Sequence, residues 1–281
     1  MMFGRKLVFA NRDDFISPAH DTAYSEVHTK SELCASCHNV THPFNQLAIE
    51  RAYDEWRDSL CDAQGIECQD CHMPKVKGRT SNMSQEREDM SSHTFAGANT
   101  TLLNHFNKDT VSNYALFKTA AKMEFIEPQT LRFGMNTITI RVHNTGVGHK
   151  LPTGFPEGRE MWVYFLIQDS TNKTIYESGG VIHGHTEKGT KSFKATLGDK
   201  NGDVVDVNVW EADRILSDTR ILPNSYADVT YMFEITGDTI PSFSIQAKLN
   251  YWPFPQGIVD ELLGENKIKV DIVEMGNITR K

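Results

Sequence analysis

The sequence contains no apolar run approaching the roughly 18 residues of a membrane-spanning helix, so no transmembrane segment is expected. Its opening, MMFGRKLVFANRDD, offers only LVFA before charge returns, too little for the core of a signal peptide. Blocks of Lys and Arg are missing as well. The 29 basic residues are outnumbered by 37 acidic ones, and a net charge of -8 argues against nucleic acid as a partner. Cysteine is scarce, five residues in 281, and none follows Cys71. A chain of this length with 39% hydrophobic residues can bury at least one core and reads as two units.

What is present is concentrated. Residues 34–38 read CASCH and residues 68–72 read CQDCH, so four of the five cysteines lie in two copies of Cys-x-x-Cys-His. Two kinds of chemistry want paired thiols at this spacing. Cys34, Cys37, Cys68 and Cys71 could form the two knuckles of a structural zinc site, which needs no histidine. Covalent haem attachment needs a histidine directly after each pair as the fifth iron ligand, and His38 and His72 stand there. The doubled histidine favours haem c, two groups within this chain, with zinc as the alternative. Haem is normally attached to thiols outside the cytoplasm, so a periplasmic or cell-surface location is expected, with the export signal truncated. Cys61 has no partner once the others are engaged and reads as a half-buried thiol on a helix.

The first 125 residues hold every cysteine and seven of the eleven histidines. We place a haem segment at 1–121 and a second domain at 122–281. In the first, NQLAIERAYDEWRDSL (45–60) has helical spacing, and KVKGRTSNMSQERED (75–89) reads as loop. The segment has too little apolar pattern to fold on its own side chains, so a metal or a haem must supply its core. Beyond residue 122 the period becomes alternating, with β-rich runs at 130–146, 161–178, 203–210, 226–235 and 243–252. The expected fold class is therefore α+β and multidomain: a helix- and loop-rich haem segment, then an antiparallel immunoglobulin-like β-sandwich.

The sixth iron ligand separates electron transfer from ligand-binding chemistry. His28 and His93 are the first candidates, with His20, His42 and His105 behind them. Ligation by Met83 or Met90 is a weaker option because histidines are abundant. Met73 cannot reach the far side of an iron held by His72.

The stretches HTKSELCASCHNVTHP, YDEWRDSL followed by GIECQDCHMP, SSHTFAG, VHNTGVGHKLPTGFPEGREMWV and LNYWPFPQGIVDELLGE resemble the multihaem c-type cytochromes of anaerobic respiratory bacteria and archaea. The resemblance implies bis-histidine haem c, an extracytoplasmic location and an electron-carrying role in anaerobic or extracellular respiration. It implies redox partners such as other cytochromes or a membrane-bound quinol-side donor, and allows a homo-oligomer. It carries His28 and His93 over as distal ligands. Such proteins often have further CxxCH motifs upstream, and their lack here again suggests truncation.

His149 in GHKLPTG has two readings: a ligand or propionate partner facing a haem, with Arg159 nearby, or a turn residue held by Gly148 and Pro152. His183 and His185 share a strand face but lack a third ligand, so they read as exposed polar residues. An electron-transfer cytochrome with no catalytic residues is the leading function. A haem oxidoreductase acting on a small nitrogen or sulfur compound, and a zinc-ribbon protein with a binding sandwich, remain as alternatives.

Overall fold

The computed structural model describes residues 6–14, 17–80, 84–108, 110–126, 131–155, 158–206, 208–237 and 242–280. Near the N-terminus β1 (Leu7–Ala10) and β2 (Asp21–Tyr24) pair in parallel, and a 3-10 turn (Glu26–Thr29) leads into α1 (Glu32–Ala35). The hairpin of β3 (Val40–Thr41) and β4 (Ala48–Glu50) is followed by α2 (Ala52–Arg57), α3 (Leu60–Ala63) and α4 (Cys68–His72). A second hairpin, β5 (Lys75–Gly78) and β6 (Arg87–Ser91), precedes α5 (Thr100–His105) and α6 (Val111–Ala120).

Then come β7 (Ala121–Ile126), β8 (Gly134–Asn144), β9 (Glu160–Asp169) and β10 (Thr174–Ser178). Six short strands follow: β11 (Val181–Ile182), β12 (His185–Thr186), β13 (Ser192–Phe193), β14 (Ala195–Gly198), β15 (Val204–Val205) and β16 (Arg214–Asp218). The chain finishes with β17 (Ser225–Ile235), β18 (Phe243–Trp252), α7 (Gln256–Leu263) and β19 (Val273–Arg280).

Two antiparallel sheets carry the core. One has the order β17-β8-β7; the other has β10-β9-β18-β19, with β13 also on β9. Both β8 and β17 alternate buried and exposed residues, the mark of strands with one face on a core. Ile140, Val142 and Tyr231 of the first sheet pack with Val163, Phe165 and Leu249 of the second in one cluster. Phe165 stacks on Tyr231 at 4.4 Å between ring centroids, and the Tyr231 hydroxyl donates to the Val163 carbonyl at 3.2 Å.

This overturns the expected helix-rich first half. Among the described residues the first 110 contain six strands in three two-stranded pairs, and helices of only four to six residues. The whole chain is a β-dominated, multi-sheet fold. Residues 45–60 are not one helix: Gln46 turns with φ +63°, the His42 N–H donates to the Leu47 carbonyl, and Ala48–Glu50 pairs as β4. Among the described residues, 75–89 hold most of a hairpin, whereas 203–210 hold only the two-residue β15 and the start of a 3-10 turn. The runs at 226–235 and 243–252 fall on β17 and β18.

Apolar burial is uneven. Before Phe117, only Ile49, Trp56 and Ala96 are buried apolar residues among those described. Leu33, Val40, Phe44, Phe95 and Phe106 of the same region stay exposed.

Candidate functional site

The two Cys-x-x-Cys-His segments are stitched to each other. Glu67 caps α4 in a reciprocal box with Asp70 and accepts two hydrogen bonds from Ser31, N–H at 2.8 Å and Oγ at 2.7 Å. Cys68 N–H donates back to Ser31 Oγ at 2.9 Å, and Gln69 Nε2 donates to the Lys30 carbonyl at 2.8 Å. Ser31 is fully buried by this arrangement. The entry to α1 is thus fixed against the entry to α4, which brings the Cys34 and Cys68 thiols close enough to interact. Their interaction pushes the Cys34 thiol up and pulls the Cys68 thiol down. All five cysteines are free thiols.

Each motif histidine has its Nδ1 engaged. His38 Nδ1 meets Glu50 Oε1 at 3.0 Å, because the β3–β4 hairpin sets Glu50 opposite Val40, two residues beyond His38. The Glu50 carboxylate raises the His38 pKa, with burial opposing. His72 Nδ1 donates to the Ala96 carbonyl at 2.5 Å, and Ala96 N–H returns a bond to the His72 carbonyl at 2.9 Å. A carbonyl can only accept, so His72 carries its proton on Nδ1.

His149 has the same arrangement. Its Nδ1 donates to the Lys150 carbonyl at 3.0 Å, and burial lowers its pKa to about 4. The rings of His72 and His149 lie 6.3 Å apart between centroids and 20° from parallel. An iron midway needs each centroid about 3.1 Å away, a metal–imidazole bond of about 2 Å plus the ring's own radius of about 1.1 Å. The centroid spacing matches that span, so His72 and His149 are the residues that would hold one iron between them, each with its Nδ1 on a carbonyl and its Nε2 without a hydrogen bond among the described residues.

The loop after β8 is built to put His149 there. A Cβ on Gly146 would meet the Thr119 carbonyl oxygen in a severe clash. One on Gly148 would meet Cys61 Sγ at 2.9 Å and Trp56 Cδ1 at 3.1 Å. Both glycines therefore serve close backbone approach. Asn144 Nδ2 donates to the His149 carbonyl at 2.9 Å and to the Ile221 carbonyl at 3.0 Å. Lys150 N–H donates to Glu55 Oε2 of α2 at 2.9 Å, while Glu55 Oε1 pairs with Arg220 at 3.4 Å, both side chains 8% exposed. Burial pushes the Glu55 pKa up, and Arg220 offsets this in part. Asp218 completes the clamp with Lys150 Nζ and Arg220, each at 2.8 Å.

The remaining candidates are scattered. His42 is buried and uses both nitrogens, one toward the Trp210 carbonyl at 3.0 Å and the other accepting from Phe44 and Asn45 N–H groups, which makes it a docking residue. His28 has a buried Nδ1 without a partner. His93 is exposed with its ring edge on Phe95, His105 is exposed beside Phe106, and His20 Nδ1 lies 3.1 Å from the Asp21 carbonyl. Among the described residues, no second imidazole makes ring contact with His38. Met83 lies outside the described residues, and Met90 packs its methyl on Gly78. Arg159 binds Asn99 Oδ1 at 3.0 Å and the Pro253 carbonyl at 3.3 Å. His183 and His185 are exposed at the β11–β12 hairpin.

Among the described residues, no three His, Cys, Asp or Glu side chains converge to hold a metal ion, so the four thiols do not form the tetrahedral site a zinc ribbon requires. No family profile matches the chain, and no curated protein sequence matches it. A solved structure does match: a penta-haem cytochrome c552 from Thermochromatium tepidum, with a TM-score of 0.67 and 15% identity. The chain shares its fold with a multihaem cytochrome c. The likeness covers 94% of this chain and 59% of that one. At such identity it is a likeness of fold.

Three functional positions escaped the sequence reading. Glu50, Glu55 and Arg220 carry no spacing signal. Each acts through a partner remote in sequence or across a hairpin, and Glu50 and Glu55 sat inside what read as one helix.

Proposed function

We propose that the chain is a multihaem c-type cytochrome segment, working outside the cytoplasm and exchanging electrons with redox partner proteins. Haem c would be held by thioether bonds to Cys34 and Cys37 and to Cys68 and Cys71, with His38 and His72 as fifth ligands. His149 would be the sixth ligand opposite His72. The observation that carries this reading is the His72–His149 ring pair at 6.3 Å, since nothing in a zinc site or a plain β protein calls for two parallel imidazoles with free Nε2 atoms. The near absence of a side-chain core before Phe117, with Phe44 90% exposed, supports it: a flat apolar group would cover such residues.

Bound there, haem c supplies a one-electron iron couple. The protein's own residues fix the rest. Ala96 and Lys150 hold their imidazoles through Nδ1, and Ser31 with Glu67 keeps the two motifs adjacent.

The test is to express the chain with an export signal and a c-type maturation system, then measure intact mass and optical spectra with dithionite and carbon monoxide. Two covalent haem masses and sharp reduced bands are expected, with the His72 site indifferent to carbon monoxide. A chain that matures without a Soret band would sink the proposal.

A further inference from the structure

The geometry points to Glu50 as the residue that makes the two haem sites unequal, holding the His38 site at a lower reduction potential than the His72 site. The inference rests on the function proposed above. The two motifs are alike in sequence, and their histidines differ in what receives the Nδ1 proton. At His38 it is the Glu50 carboxylate, whose side chain is only 13% exposed. At His72 it is the neutral Ala96 carbonyl.

Two effects point the same way. A hydrogen bond to a carboxylate gives the imidazole partial anionic character, making it a stronger donor that favours the ferric state. The negative charge itself, on a mostly buried side chain beside a His38 ring that is 61% exposed, also favours the more positive oxidised iron. The Ala96 contact is the shorter one, 2.5 Å against 3.0 Å, but a carbonyl carries no net charge. Between the two Nδ1 partners, charge therefore sets the order. Among the described residues the Glu50 side chain makes its hydrogen bond to His38. The hairpin keeps Glu50 in place whether or not His38 moves, since β4 is anchored on β3 by backbone pairing.

The experiment is an optical redox titration of the haem-loaded full chain, compared with Glu50→Gln and with the double variant Cys34→Ala/Cys37→Ala. Glutamine keeps the size and an acceptor oxygen and removes the charge. The expected wild-type titration has two one-electron components, and the double variant keeps the upper one. In Glu50→Gln the lower component should rise by about a tenfold change in its oxidised-to-reduced ratio, ~59 mV for a one-electron couple, with the upper moving less than half as far. Equal shifts of both components, no shift, a single unresolved component, or retention of the lower component in the double variant would each overturn the assignment. If the double variant does not accumulate, the Glu50→Gln comparison decides alone. Intact mass separates the two failures: a chain without covalent haem defeats the proposed function, whereas a loaded chain with these outcomes defeats only the role of Glu50.

Discussion

The rings of His72 and His149 lie with centroids 6.3 Å apart and planes 20° from parallel, although one ends α4 and the other sits in the loop after β8. Each donates its Nδ1 proton to a backbone carbonyl, so the tautomer that leaves Nε2 free is fixed by the fold. As a ligand pair drawn from both halves of the chain, as proposed, they would tie the core-poor first half to the sheets. Haem attachment at the second motif would then stabilise that junction as well as the motif itself.

Replacing His149 by Ala should open one iron. The reduced protein is expected to bind one further carbon monoxide per chain relative to the wild type, while keeping both covalent haems. A titration of the reduced Soret band with carbon monoxide, beside intact mass, checks this. If the variant binds no more gas than the wild type, His149 is not the sixth ligand.

Glu55 should matter to the same site without touching it. Its carboxylate holds the Lys150 N–H and the Arg220 guanidinium from α2. Glu55→Ala should cost on the order of 2–3 kcal/mol, below the ~3–5 kcal/mol of a fully broken buried pair because Asp218 still pairs with Arg220. It should also give partial carbon monoxide binding by freeing the loop. Glu55→Gln, which keeps an acceptor for Lys150, should bind less gas than Glu55→Ala. Denaturant midpoints and gas titrations on the two variants read both effects.

Gly148→Ala is expected to destabilise by about 1–3 kcal/mol, the range for overpacking a tight contact, since the new methyl would press on Cys61 and Trp56. Pairing it with Cys61→Ala, which removes the nearest sulfur, should recover part of the loss. Cys61→Ala alone should leave two haems per chain, because Cys61 lies outside both motifs. A third covalent attachment lost with Cys61 would contradict the motif assignment.

The sequence carried a sharper pattern for the proposed chemistry than for the architecture. Doubled histidines after paired cysteines are a local pattern, and so are the alternating runs that became β17 and β18. The first half was misread because its elements are stabilised by contacts that no local period records. β4 exists because Leu47 and Glu50 return to pair near His42 and Val40, and α4 starts where Glu67 meets Ser31 from the other motif. His149 shows the middle case: its glycines marked a tight loop, but only the packing of Gly148 on Trp56 and Cys61 shows that the loop carries the ring to His72.

Within the ion-pair clamp behind His149, the Asp218 arm should resist acid to an unusual depth, whereas burial raises the Glu55 carboxyl. Burial alone would raise the Asp218 pKa, but hydrogen bonds from Arg220 and Lys150 outweigh it and bring the carboxyl to about 2 from an ordinary 3.8. A carboxylate depressed in the folded state stabilises the fold fully above its unfolded pKa, and that contribution is lost as pH falls through the folded value. The window here runs from about pH 4 down to about pH 2. A shift of this size corresponds to about 2 kcal/mol, trimmed toward roughly 1 kcal/mol by the partial exposure of the side chain. Asp218→Asn should therefore be less stable than the wild type by a constant margin from pH 7 to about pH 4.5, and the margin should shrink toward pH 2. Denaturant midpoints of both proteins across that range test it, and a margin that stays unchanged at pH 2 would remove Asp218 from the clamp.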